Sequence, residues 1–169
     1  MVKIGVAGAY GAFGLKHLDA LANIPNAEVT AVFGPNKDKI EALATERDIA
    51  SACSSFDAFL AADVDAVILS TPTQMHAEQS VQAMEAGKHT FSEIPMADSL
   101  EDAETMVAAQ ERTGVVGMVG HVRRFNPSHQ YIRNKIDAGE FNIQQMDAQT
   151  YFFRRSNLNA KGEPRSWTD

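Results

Sequence analysis

Cysteine is nearly absent: Cys53 is the only one in 169 residues. No disulfide can form within the chain, and no four-thiolate metal site is possible. Positive charge is also scarce. Lys and Arg number 15 against 22 Asp and Glu, a formal net charge of −7. A nucleic-acid surface needs a basic footprint, so nucleic acid is not an expected partner. Long apolar runs are missing too. Stretches such as Ala66-Val67-Ile68-Leu69 are far shorter than the roughly 20 residues a membrane helix takes, so no membrane partner is expected. The chain opens Met1-Val2-Lys3-Ile4-Gly5-Val6, which reads as a strand and not as a charged leader before an apolar stretch. No His/Asp/Glu spacing suggests a metal, and nothing resembles a Ser-His-Asp or Cys-His system. The expectation is a soluble, cytoplasmic protein.

What is present is a folded composition, 44% hydrophobic and 22% charged. Strand and helix patterns alternate. Strands are expected over 2–8, 27–33, 50–53, 65–71, 88–92 and 115–119. Helices are expected over 12–24, 37–46, 55–61, 75–86, 99–112 and 127–138. Leu15, Leu18, Leu21 and Ala22 mark one face of the first helix at the helical spacing. Ser99 caps the fifth helix, and Asn126-Pro127 opens the sixth with a cap and a proline at its first position. Met75, Met84, Met106 and Met146 read as core filler. Strands interleaved with helices imply right-handed βαβ units and a parallel sheet, and near-continuous apolar strands agree with burial on both faces.

The pattern changes after Gly139. Residues 143–153 read as one long strand, and 156–169 are polar without periodicity. The fold class is therefore α/β: a Rossmann doubly wound parallel sheet over 1–121, followed over 122–169 by the beginning of an α+β second domain for substrate and dimer contacts. The chain reads as a fragment of a longer enzyme.

The first strand runs into Gly8-Ala9-Tyr10-Gly11-Ala12-Phe13-Gly14, and a helix follows at once. A pyrophosphate favours a helix N-terminus, where free N–H groups and the helix dipole welcome negative charge. Glycines let the backbone turn tightly and approach the phosphates. The spacing is G-x-x-G-x-x-G, one residue longer than the usual fingerprint, but its place between the first strand and first helix supports a dinucleotide site. An acidic residue about 20 positions on would bond the ribose 2′-hydroxyl of NAD. That place holds Phe33-Gly34-Pro35-Asn36-Lys37, with no carboxylate at the strand end. Asn36, Lys37 and Lys39 suit a 2′-phosphate instead, so NADP is the expected cofactor, with NAD the alternative. Both lysines also read as ordinary solvated residues.

Ligands of open α/β sheets sit beyond the carboxyl ends of the strands. Three further strand ends carry polar motifs: Ser70-Thr71-Pro72-Thr73-Gln74-Met75-His76-Ala77-Glu78, then Glu93-Ile94-Pro95, then His121-Val122-Arg123-Arg124-Phe125-Asn126-Pro127. With the glycine loop, and in this order and spacing, they resemble the Gfo/Idh/MocA oxidoreductases along the whole chain. The likeness is greatest to the branch that oxidises the cyclic hemiacetal of a carboxylated muconate semialdehyde to a pyrone-dicarboxylate lactone, in bacterial protocatechuate meta-cleavage.

The resemblance implies that Ser70, Thr71, Pro72 and His76 border the nicotinamide ribose and that Glu93 lies beside the nicotinamide. The family usually has Glu-Lys-Pro, whose lysine assists proton transfer; here Ile94 takes that position. A hemiacetal hydroxyl is more acidic than a simple alcohol, so less is asked of a general base. Glu93 and His121 are the catalytic candidates, and His121 reads equally as a structural histidine. His17, His89 and His129 read as surface or packing residues. Arg123, Arg124, Arg154 and Arg155, with Tyr151 and Ser166 as further donors, suit substrate carboxylates, which arginine binds through paired hydrogen bonds. The same arginines also suit a salt-bridge rim or a subunit contact. A homodimer of the full-length protein is implied. The competing readings are a nucleotide-binding module without catalysis and a sugar or inositol dehydrogenase of the same family.

Overall fold

The computed structural model describes residues 1–149. The chain divides into two compact units, Met1–Gly120 and the portion from His121 onward. The first unit contains strands β1 (Val2–Ala7), β2 (Ala27–Phe33), β3 (Ser51–Cys53), β4 (Ala66–Leu69), β5 (His89–Ser92) and β6 (Gly117–Val119). Helices α1 (Ala12–Leu21), α2 (Lys37–Glu46), α3 (Phe56–Leu60), α4 (His76–Glu85) and α5 (Leu100–Thr113) connect them. All the strands pair in parallel, in the order β3-β2-β1-β4-β5-β6. This is the doubly wound Rossmann order, which reverses between β1 and β4 and opens a crevice there.

Alternation along the strands divides the core in two. Val6 and Val32 point to the face covered by α1 and α2, where they meet Leu18, Leu21, Ile40 and Leu43. Ala7, Phe33, Val67 and Leu69 point to the opposite face, with Phe59 of α3 and Ala83 of α4. Neighbouring strand residues thus feed opposite layers, as the pleat requires. Phe59 is fully buried and packs against the rings of Phe33 and Phe56 at 5.9 and 5.7 Å. It lies so close to β1 that a Cβ on Gly5 would stand 2.7 Å from its ring. Met84 and Met106 fill the core as expected, each 3% exposed, whereas Met75 and Met146 are exposed. Met75 ends the short 3-10 turn Thr73–Met75 on the rim of the sheet, where no layer covers it.

The second unit opens with the 3-10 turn Val122–Phe125, followed by α6 (Pro127–Asp137). Asn126 caps α6 by accepting the Ser128 N–H at 3.0 Å. The long strand expected over 143–153 does not form over 143–149. A strand exists through ladder bonds to a neighbour, and no described residue pairs with this segment. The remainder of that expected strand, from 150 on, lies outside the described residues.

Replacing Phe59 with alanine leaves a cavity between α3 and the sheet. The expected loss is about 3–5 kcal/mol, measured as a lower denaturant midpoint at unchanged slope. Burial also pushes the Cys53 thiol above its usual range. The native protein should therefore resist alkylation at mildly alkaline pH and react only once unfolded, as followed by mass spectrometry.

Candidate cofactor site at the carboxyl ends of the strands

The strands end in register. Ala7 is level with Phe33 on one side and with Leu69 on the other, and Leu69 is level with Ser92. The ladder continues one residue past each end. Gly8 N donates to Phe33 O at 2.9 Å, Ser70 N to Ala7 O at 3.1 Å, Glu93 N to Leu69 O at 2.9 Å and Gly120 N to Ser92 O at 2.8 Å. Gly34, Gly8, Ser70, Glu93 and Gly120 therefore form one row along the carboxyl edge. Ser70 adds a second tie, its hydroxyl donating to Ala7 O at 2.7 Å.

The glycine loop fills the crevice at the centre of this row. Gly8 has φ +71°, and a Cβ on it would stand 2.5 Å from Ser70 O. A Cβ on Gly14 would stand 2.3 Å from Gly8 O and 2.7 Å from Ala9 Cα. Gly11 is the N-cap of α1; no side chain caps the helix, and its first turn holds no acidic residue. Leu15 N is the first intrahelical donor to the cap, reaching Gly11 O at 3.0 Å. The N–H groups of Ala12, Phe13 and Gly14 precede it and have no partner within the helix. This uncapped, glycine-lined turn fits a pyrophosphate.

Tyr10, from the longer loop, packs across the end of β2. A Cβ on Gly34 would stand 2.3 Å from its ring, so Gly34 is needed for the loop to pass. The Tyr10 hydroxyl accepts from Asn36 N at 3.2 Å, and Lys39 Nζ lies 5.9 Å from the ring centre. Asn36 Oδ1 caps α2 by accepting from Lys39 N at 3.0 Å. Lys37 lies 3.8 Å from Glu41, with both side chains largely exposed. The β2 end thus presents the N-terminus of α2 with Lys37 and Lys39; residues 33–37 hold no carboxylate, and the first acidic residue is Asp38 in the first turn of α2.

Beyond β4, Thr71 Oγ1 donates to Gln79 Oε1 at 2.6 Å. Gln79 Nε2 is buried with no hydrogen-bond partner among the described residues. His76 is 2% exposed, and its ring nitrogens face Thr71 O and Pro95 O, each at 2.8 Å. It thereby ties the β4 turn to the Glu93-Ile94-Pro95 turn, whose Ile94–Pro95 peptide is cis. With both nitrogens engaged, His76 shapes the backbone here and is not a free donor.

Glu93 follows β5. Its Oε1 is 2.7 Å from His17 Nε2 on α1, and its Oε2 accepts from Ile94 N at 3.3 Å. The side chains of His17 and Glu93 are only 19% and 13% exposed. The sequence reading places His17 among surface or packing residues; it does pack, edge-on against Phe91, and it also meets Glu93, 76 positions away. The signal was its spacing: His17 falls three residues after the buried Gly14 and four before the buried Leu21, on the inner stripe of α1.

His121, Arg123 and Arg124 belong to the second unit. His121 is exposed and is the N-cap residue of the 3-10 turn that carries both arginines. Three residues complete such a turn, so adjacent arginines diverge by about 120°. The Arg123 carbonyl faces His129 Nδ1 at 2.9 Å. Tyr151, Arg154, Arg155 and Ser166 lie outside the described residues. Among the described residues no cluster of His, Cys, Asp and Glu could hold a metal, and no helix is long and apolar enough to cross a membrane.

Known proteins share this arrangement. Residues 2–121 match the family described as "Oxidoreductase family, NAD-binding Rossmann fold", and residues 127–169 match "Bacterial oxidoreductases, C-terminal". The chain belongs to the Gfo/Idh/MocA oxidoreductase family. It is similar to 4-carboxy-2-hydroxymuconate-6-semialdehyde dehydrogenase of Sphingobium sp. (strain NBRC 103272 / SYK-6), with 57% identity over 99% of this chain and 53% of that protein. It is 34% identical to scyllo-inositol 2-dehydrogenase (NAD(+)) of Bacillus subtilis (strain 168), over 82% of this chain and 41% of that one. The crystal structure of scyllo-inositol dehydrogenase from Lactobacillus casei with bound NAD(H) and scyllo-inositol superposes with a TM-score of 0.78 at 29% identity, over 83% of this chain and 42% of that one. The chain thus spans about half the length of these relatives or less.

Replacing Gly14 with alanine drives a methyl group into the backbone of the loop, which cannot rotate away. The expected outcome is a fold weakened by about 1–3 kcal/mol, with loss of dinucleotide binding in a fluorescence titration.

Proposed function

We propose that this chain is the cofactor half of an NADP-dependent dehydrogenase that oxidises the cyclic hemiacetal of a carboxylated semialdehyde to a lactone. The substrate would be of the 4-carboxy-2-hydroxymuconate-6-semialdehyde type, and the product a 2-pyrone-4,6-dicarboxylate. The observation that supports dinucleotide chemistry is the row of strand ends, with an uncapped helix N-terminus at its centre and a carboxylate at Glu93. The likeness to the Sphingobium enzyme supports the substrate.

In this reading the first-turn N–H groups of α1 hold the pyrophosphate, with Gly8, Gly11 and Gly14 clearing the approach. Tyr10, Asn36 and Lys37, with Lys39, receive the adenosine end and its 2′-phosphate. Ser70, Thr71 and Pro72 border the nicotinamide ribose, and His76 holds that turn in shape. When bound, the dinucleotide takes up the hydride, which is the difficult part of the chemistry. Glu93 and His121 are the candidates to receive the hydroxyl proton. A hemiacetal hydroxyl asks less of a base than an alcohol does, which suits a site with Ile94 in place of the family's lysine. Arg123 and Arg124, with Tyr151, Arg154 and Arg155, bind the substrate carboxylates. Assembly as a homodimer belongs to the longer protein in the same reading.

Titration of the chain with each dinucleotide tests the cofactor. NADP should bind about tenfold more tightly than NAD, the worth of one added charge-assisted contact. Equal or tighter binding of NAD overturns that part. For the substrate, Arg123→Ala and Arg124→Ala, made separately, should each lower kcat/KM for the semialdehyde by about tenfold or more. Unchanged kcat/KM in both removes the arginines from the site. If cofactor binds but the reduced-nicotinamide absorbance stays flat with the semialdehyde present, the chain is a nucleotide-binding module without catalysis.

A further inference from the structure

We propose that His17 is a positioning residue: it holds the Glu93 carboxylate in the place from which Glu93 selects the oxidised nicotinamide ring over the reduced one. The inference rests on the reading that Glu93 lies beside the nicotinamide.

Glu93 sits on a long, rotatable stem at the end of β5, and a glutamate there has no intrinsic reason to keep one orientation. Two N–H groups restrain it. The contact to Ile94 N is 3.3 Å, at the long end for a hydrogen bond. The contact to His17 Nε2 is 2.7 Å, in the range of a charge-assisted bond. Both side chains are mostly shielded from water, so the contact is worth more than an exposed ion pair. In chain order the neighbour of Glu93 is the apolar Ile94, 48% exposed. The nitrogen that meets the carboxylate side on therefore comes from another element, α1.

The imidazole is itself held. It meets the ring of Phe91 edge-on, with centroids 5.5 Å apart and planes at 73°. Phe91 precedes Glu93 by two residues, so both side chains rise on the same side of β5. Gly120, at the end of β6, leaves room for Phe91; a Cβ there would stand 2.7 Å from its ring. A packed series therefore runs from Gly120 through Phe91 and His17 to Glu93. It links the carboxylate to the helix whose N-terminus fits the pyrophosphate. A carboxylate fixed beside a nicotinamide stabilises the cationic oxidised ring and gains nothing from the neutral reduced ring. Its placement thus appears as the ratio of the two dissociation constants.

The test is the ratio Kd(NADPH)/Kd(NADP+), measured on the full chain at one fixed pH and ionic strength. NADPH is followed by its fluorescence and NADP+ by competition. Glu93→Gln should lower the ratio about fivefold, the size of a partly shielded charge contact. His17→Ala should lower it nearly as far, although the carboxylate is still present. His17→Asn, a folded variant too short to reach, should behave like His17→Ala. His17→Gln brings an amide N–H to the same place and should restore the wild-type ratio. Melting temperatures identify any variant that fails to fold. A ratio unchanged in both His17→Ala and His17→Asn, with Glu93→Gln altered, overturns the role of His17 alone. A ratio that rises in those variants also overturns it, because His17 would then act as a counter-charge. An unchanged ratio in Glu93→Gln overturns the placement of Glu93 and this inference with it. Failure of the wild type to bind either cofactor form overturns the proposed function at its root.

Discussion

The close passage of the glycine loop between β1 and β4 is the constraint on which the site depends. Ser70 O stands 2.5 Å from where a Gly8 side chain would begin, and Gly8 O stands 2.3 Å from where one on Gly14 would begin. Three backbone segments meet there with no room for a methyl group. The passage sets α1 directly behind β1 and aims its uncapped N-terminus at the crevice. Because the strands are parallel and end in register, fixing one end fixes the row. Ser70 and Glu93 are placed by backbone ladder bonds, which are indifferent to side-chain identity. The side chains at that edge are then free to vary with the chemistry.

Two features depart from usual patterns, the loop length from the dinucleotide fingerprint and Ile94 from the lysine the family resemblance implies, and a long-range contact lies at each. The glycine loop is one residue longer. Tyr10 crosses onto β2, where Gly34 admits its ring and Asn36 N bonds its hydroxyl at 3.2 Å. The longer loop is thus tied down at the end expected to carry the adenosine. The Glu-Ile-Pro turn lacks a lysine beside its glutamate, and the nitrogen that meets the Glu93 carboxylate at 2.7 Å belongs to His17. In both places the contact joins residues far apart in sequence.

Legibility in the sequence followed the range of the interaction. Helix and strand placements over 1–139 were readable because caps, glycine stops and apolar periodicity are local. Ser99 and Asn126 cap their helices as expected. The glycine loop was readable because its spacing is local as well. The strand expected over 143–149 was not reliable, because a strand needs a partner and periodicity cannot supply one. The contact of His17 with Glu93 was not readable for a related reason. A histidine on the inner stripe of a helix looks like packing until the element opposite it is known.

The sequence by itself determined the fold class, the family and the motifs at the strand ends, since these rest on short-range patterns and on motif order. It also determined what is missing: a second thiol, a basic surface, a lysine at position 94. Only the tertiary structure decided which polar groups meet. The sheet order sets the ends of β1, β4 and β5 side by side, so His17 of α1 reaches Glu93, and the β4 turn lies beside Pro95, so His76 closes the gap between them. Such meetings depend on the crossover between β1 and β4, and no spacing along the chain encodes a distance across a sheet.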